Sequence, residues 1–173
     1  MISKKVKLTV NEYTLACEIG KKRNSQAVRE GRKSYYIDKR FKCDEDSHIY
    51  GCASEIAACK VLGLTWNQSC GIYHSDNQYD IPEVKCEVRA IMNSRNNLSI
   101  KWNDNKQNYL LIYGDPDDRM NWEVCGVLLE EDFDDALANH SFSPIPELKC
   151  IKKEVLRPLH ILVNKYNNKR GAY

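Results

Sequence analysis

Tyr79-Asp80-Ile81-Pro82-Glu83-Val84-Lys85-Cys86-Glu87-Val88-Arg89-Ala90-Ile91 reads as a tight β-hairpin. Asp80 closes a short first strand, Pro82-Glu83 makes the turn, and Val84 to Ile91 form the second strand. Proline suits the second position of a turn because its φ is already fixed. Val84, Cys86, Val88 and Ala90 alternate with Lys85, Glu87, Arg89 and Ile91, the period of two of a strand. One face is apolar, and the other carries Lys85, Glu87 and Arg89 in a row. Antiparallel pairing can bring Asp80 alongside Glu87, with a cation two residues further along the same face. Two carboxylates held that close repel unless a proton or a cation lies between them. A divalent metal with hard oxygen ligands is the natural occupant. Charges that alternate with valine on an exposed strand are more often simply solvated, so the weight comes from the helix upstream.

That helix runs from Ile49 to Leu64, after Asp44-Glu45-Asp46-Ser47, where Ser47 or Asp46 can cap it and the acids favour its positive end. Between Ile49 and Cys59, Glu55 is its only ionisable side chain apart from cysteine and tyrosine. Such a helix should be packed on several sides, and a carboxylate within it is costly unless something binds it. Gly63 stands where a stop is expected.

With 173 residues the chain is expected to form one domain with a sizeable core. No transmembrane span or apolar signal region is visible, so a soluble cytoplasmic protein is expected. The eight cysteines are scattered, with no two separated by just two residues, and read as reduced core residues rather than a zinc or redox motif. The formal net charge of +2 hides an asymmetry: residues 1–42 hold 12 Lys+Arg against 4 Asp+Glu, residues 149–173 hold 7 against 1, and the middle holds 7 against 19. Basic ends favour a polyanion partner. The acidic middle resists that partner unless metal ions neutralise part of it, or else the opposite charges pair within the fold. The candidate polyanion contacts are Arg23, Arg29, Arg32, Lys33, Lys39 and Arg40; from Arg32 to Lys42 cations mix with aromatic rings, as nucleic-acid contacts do.

Along the chain, Thr9-Val10-Asn11-Glu12 has the spacing of a capping box. It predicts a helix ending near Lys21-Lys22-Arg23, with a new turn of helix from Ser25 that Gly31 stops. Further strands are expected at Cys70 to Tyr73, Leu98 to Trp102, Tyr109 to Tyr113 (central and buried) and Trp122 to Leu129, the last interrupted by Gly126. Glu131 to Ala138 reads as a short helix, Pro144-Ile145-Pro146 as a linker, and the end of the chain as a frayed basic tail. The economical fold is α/β (α+β), a mixed central β-sheet of about five strands flanked by helices. The regions are 1–47 (basic, helical), 48–140 (core) and 141–173 (basic). The Asp115, Asp117 and Asp118 turn lacks EF-hand spacing. His48, His74, His140 and His160 are isolated, and no Gly-rich phosphate loop occurs.

A helix with Gly51-Cys52-Ala53-Ser54-Glu55, then Asp80, then Glu87-Val88-Arg89, resembles the PD-(D/E)XK nuclease superfamily, in particular its small phage-type members. Asp104, the two later strands and Leu156-Arg157-Pro158-Leu159 extend the likeness over roughly residues 48 to 160. The resemblance implies a restriction-endonuclease-like core and a Mg²⁺-dependent deoxyribonuclease, with Mn²⁺ as a substitute, in a bacterial host cell if phage-encoded. It implies that Asp80, Glu87 and the Val88 carbonyl hold the metal, that Glu55 does so directly or through water, and that the cation after Glu87 opposes charge on the phosphate. The family usually has Lys there and this chain has Arg89, which stabilises charge but is no general base near neutral pH. Lys85, on the same strand face, can substitute. A rival alignment, Asp80…Glu83-x-Lys85, restores Lys but leaves no room for the hairpin. The alternative function is a catalytically inactive nuclease-fold protein that binds nucleic acid or a protein, as a phage accessory or host-countering factor.

Overall fold

The computed structural model describes residues 4–32, 41, 43–67, 79–93, 95–101, 103–141, 143 and 147–170, with side chains as far as 167. The expected strand at Cys70 to Tyr73, the linker Pro144-Ile145-Pro146, His74, Lys33, Lys39 and Arg40 lie outside the described residues.

A short strand β1 (Lys4–Lys7) leads into helix α1 (Val10–Arg29). The capping box is formed: the Thr9 hydroxyl accepts the Glu12 N–H at 3.2 Å, and the Glu12 carboxylate accepts the Thr9 N–H at 2.6 Å. The helix does not stop at the Lys21-Lys22-Arg23 cluster but runs on to Arg29, and Gly31 in left-handed backbone follows its end. Gly20 is where α1 meets helix α2 (Asp44–Leu62). A Cβ at Gly20 would fall 2.6 Å from the Ile49 Cα, so only glycine lets the two backbones come this close. The ~1 kcal/mol that glycine costs inside a helix is offset by the packing it permits. At the other end of the contact Lys60 reaches Glu12 at 2.7 Å.

Helix α2 begins earlier than the Asp46 or Ser47 cap predicted. Cys43 is its cap residue, and Asp44, Glu45 and Asp46 form the first turn. Asp46 instead takes an ion pair from Arg119 at 3.0 Å, and Ser47 bonds the Asp44 carbonyl. The helix is buried from Cys52 to Cys59 without a break, and it ends at Gly63 with φ +70°.

The remaining elements are β2 (Cys86–Ile91), β3 (Leu98–Lys101), β4 (Asn108–Gly114), β5 (Asn121–Leu128), α3 (Phe133–Ala138), β6 (Leu148–Ile151) and α4 (Leu159–Arg170). The fold is mixed α+β. The main sheet has four strands in the order β1-β5-β4-β2, with β2 and β4 parallel and the other pairs antiparallel. The expected fifth strand, β3, leaves this sheet and pairs with β6 in a separate two-stranded ribbon. The reason lies in β4. Its Leu110 and Ile112 enter the core shared with α1 and α2, whereas Tyr109 and Leu111 enter a second core with Leu98, Ile100, Phe133 and Ile151. Both faces of β4 need cover, which explains its continuous apolar sequence, and the ribbon and α3 provide the second cover.

Two positions tie the layers together. The Tyr50 hydroxyl lies 2.9 Å from the Ile91 carbonyl and 2.7 Å from the Gly114 carbonyl, at the ends of β2 and β4. Buried Asn108 donates to the Val84 carbonyl at 2.7 Å and accepts the Glu130 N–H at 2.9 Å. Gly126 does interrupt β5: the register with β4 shifts there, and Leu156 lies where a Cβ would go, at 2.7 Å. The expected basic tail is helical as far as Arg170, anchored by buried Leu162. The seven described cysteines are free, and Cys52, Cys59 and Cys86 are buried. Among the described residues, no helix is long and apolar enough to cross a membrane.

Candidate active site

The hairpin around Asp80 and Glu87 is tighter than its sequence predicts. Pro82–Val84 forms one turn of 3-10 helix, Lys85 follows in left-handed backbone at φ +48°, and β2 starts at Cys86 rather than Val84. Ile81 and Cys86 exchange both backbone hydrogen bonds, at 3.0 and 3.1 Å. Continuing that antiparallel pairing outward sets Asp80 opposite Glu87. The Asp80 carboxylate accepts the Val88 N–H at 2.8 Å, which locks it against the first half of β2. The strand alternation does not extend back to Lys85, so this lysine is not in line with Glu87 and Arg89. It is exposed on the turn, as is Glu83, the acid of the rival alignment.

Asp80 is the central member of the group. Burial, then the Glu87 charge and a side-chain hydrogen bond with Glu87, push its carboxyl from an ordinary 3.8 up to about 7, against the pull of the Val88 N–H. Its negative charge also reaches Glu55 on α2, whose carboxyl is raised by burial, against hydrogen bonds from Arg23 and Trp66. Glu55 is only 7% exposed. Arg23 grips it through its two terminal guanidinium nitrogens, at 2.6 and 2.8 Å, and the Trp66 indole donates at 3.0 Å. The Arg23 guanidinium lies 5.9 Å from the Trp66 ring centroid.

On the other side, Arg89 bonds Glu87 and Asp104 at 3.0 Å each and lies over the Tyr109 ring. Asp104 also accepts the Lys101 N–H at 3.0 Å. Burial disfavours the Arg89 charge, but Glu87, Asp104 and Asp80 outweigh it and raise its proton affinity. The side chains follow in a row that contact links from Asp80 through Glu87 and Arg89 to Asp104 and from Arg23 to Glu55, while the charge of Asp80, acting at longer range, joins Glu55 to the rest. The three acids come from two elements and a loop, with a guanidinium on each flank. Cys59 borders the row, and burial together with Glu83, Glu55 and Asp80 pushes its thiol up to about 12, so it stays protonated.

Among the described residues, no three His, Cys, Asp or Glu side chains stand as a ready metal cage. The physical reason is that Glu55 is turned to Arg23 and Trp66. The Asp80–Glu87 pair nonetheless has the donor chemistry of a hard-cation site: two adjoining carboxylates, of which Asp80 is raised toward neutrality by burial and by the Glu87 charge.

Of the polyanion candidates, Arg23 is not on an outward face; the close approach at Gly20 turns it inward to Glu55. Arg29 is exposed, and Arg32 pairs with Glu30 at 2.6 Å. Sequence reasoning missed the roles of Arg23 and Trp66. The available signal was the lone Glu55 in an apolar helix, which demands a partner. An open cleft of about 520 Å³ lies elsewhere, along β1 and β5, and contains none of these residues. Comparison with protein-family models, curated proteins and solved structures gives no match to this chain.

Proposed function

We propose that the chain is a metal-dependent nuclease of the PD-(D/E)XK type that hydrolyses phosphodiester bonds of DNA. The observation that carries this reading is the contact between the buried Asp80 carboxyl and Glu87, where burial and the Glu87 charge raise Asp80 toward neutrality and Arg89 bonds the far side of Glu87. A helix bearing a buried acid against a mixed sheet whose end strand bears Glu-x-Arg supports a restriction-endonuclease-like core.

Asp80, Glu87 and the Val88 carbonyl would hold Mg²⁺ or Mn²⁺, with Glu55 joining them directly or through water, and the bound cation would polarise the phosphoryl group and offset its charge. Glu87 and Asp104 hold Arg89 from two sides, so its guanidinium is pre-oriented to oppose negative charge on the reacting phosphate. Arg89 stays protonated throughout and moves no proton. The exposed Arg29 lies on the basic N-terminal region that would meet the DNA backbone. The test is incubation of the purified chain with DNA and Mg²⁺ or Mn²⁺, beside Asp80→Ala and Glu87→Gln. Cleavage that both substitutions abolish is expected; no cleavage by the unaltered chain, or equal cleavage by Asp80→Ala, removes the reading.

A second reading is a non-catalytic binder of nucleic acid or protein on the same fold. It is favoured by Arg89 in the position of the family's Lys and by the capture of Glu55 by Arg23. Titration calorimetry with Mn²⁺ separates the two: no binding favours the second.

A further inference from the structure

We propose that Arg23 is a resident counter-ion of Glu55 that competes with the divalent cation, so that metal binding must pull Glu55 away from α1. This rests on the metal-dependent reading above. Both Glu55 oxygens are engaged by the Arg23 fork, and one of them also accepts from Trp66. A hard cation reaching this carboxylate has to displace at least one of these donors. The pair is nearly buried, with side chains 11% and 9% exposed, so the exchange takes place where charge–charge interactions are strong.

The competition is built into the backbone rather than left to a mobile surface side chain. Gly20 seats α1 directly on Ile49 of α2, and Arg23 follows one turn later on the same side. The acid row thus has its own internal cation on each flank. Arg89 faces the Glu87 end and is shared with Asp104, whereas Arg23 holds Glu55 through both oxygens. Arg23 is a positioning residue: it sets whether Glu55 belongs to the metal set or to α1.

The test is calorimetric Mn²⁺ titration of the full chain, of Arg23→Gln, of Glu55→Gln and of the double variant, with thermal melting of each in the absence of metal. Arg23→Gln is expected to bind Mn²⁺ about fivefold or more tightly, while melting at lower temperature without metal. The gain in affinity should disappear in the Glu55→Gln background, which a merely structural role of Arg23 would not produce. Equal or weaker Mn²⁺ binding by Arg23→Gln, with binding by the unaltered chain intact, overturns the proposal and leaves the metal-dependent reading standing. No Mn²⁺ binding by any variant overturns both. If Arg23→Gln does not fold, Arg23→Lys, which keeps the charge but loses the fork, should bind Mn²⁺ more tightly than the unaltered chain; equal affinity overturns the proposal.

Discussion

Replacing Asp80 by Asn should make the metal-free protein more stable above neutral pH. Asp80 is ionised there against burial and the adjacent Glu87 charge. A carboxyl raised from 3.8 to about 7 stores about 4 kcal/mol of unfavourable free energy once it is forced to ionise. Asp80 keeps some contact with solvent, and Glu87 can relax, so the realised gain is about 1–2 kcal/mol. Asn preserves the geometry: its carbonyl oxygen can still accept the Val88 N–H, and its amide can donate to Glu87. Between pH 3.8 and about 7 the folded chain keeps a proton that the unfolded chain has lost, so this contribution to stability falls as pH rises through that window. The advantage of Asn should therefore be largest near pH 8, smaller near pH 5, and absent below the ordinary carboxylate range. In thermal melting a gain of that size is about 2–8 °C for a chain of this length. Added Mn²⁺ should close the gap at pH 8 by stabilising the unaltered chain and leaving Asp80→Asn nearly unchanged. A variant that melts at or below the unaltered chain at pH 8, or a gap as large at pH 5 as at pH 8, would refute the reasoning.

Gly20→Ala should lower stability by about 1–3 kcal/mol despite the better helix propensity of alanine, because its Cβ would meet the Ile49 backbone at 2.6 Å; chemical denaturation measures it. Asn108→Ala removes one buried and one partly buried hydrogen bond and strands the Val84 carbonyl and the Glu130 N–H, an expected loss of about 2–3 kcal/mol in the same assay. Arg89→Ala should reduce DNA cleavage by about a hundredfold or more while Mn²⁺ titration still shows binding, since Arg89 is assigned to the phosphate and not to the metal.

The parts of this fold that could be read from sequence are those set by local chemistry. Thr9 and Glu12 form their box because the spacing satisfies two helix-end donors at once, and Gly63 stops α2 because it alone takes the left-handed backbone cheaply. The acids Glu55, Asp80 and Glu87 stand out in the sequence because of costs that any fold must meet. What was not legible depends on partners distant in the chain. Gly20 looks like a helix breaker until Ile49 is seen against it. The departure of β3 from the sheet depends on β6, some fifty residues later, whose Leu148–Ile151 sequence is too short and mixed to announce a strand. Lys85 broke the alternation because the Pro82–Val84 turn needs a left-handed residue after it, which a period of two cannot reveal. Arg23 read as a surface cation because nothing local says that α1 passes beside Glu55.

The Asp80 carboxylate on the Val88 N–H has one more effect. β2 ends the main sheet on one side, and β1, with Lys4, Lys5 and Lys7, ends it on the other. A terminal strand with open amides is a template for recruiting a stranger's backbone, and charge along its rim is a recognised deterrent. Here a carboxylate consumes an amide on one rim and lysines line the other, so both margins of the sheet resist self-association and amyloid-like growth.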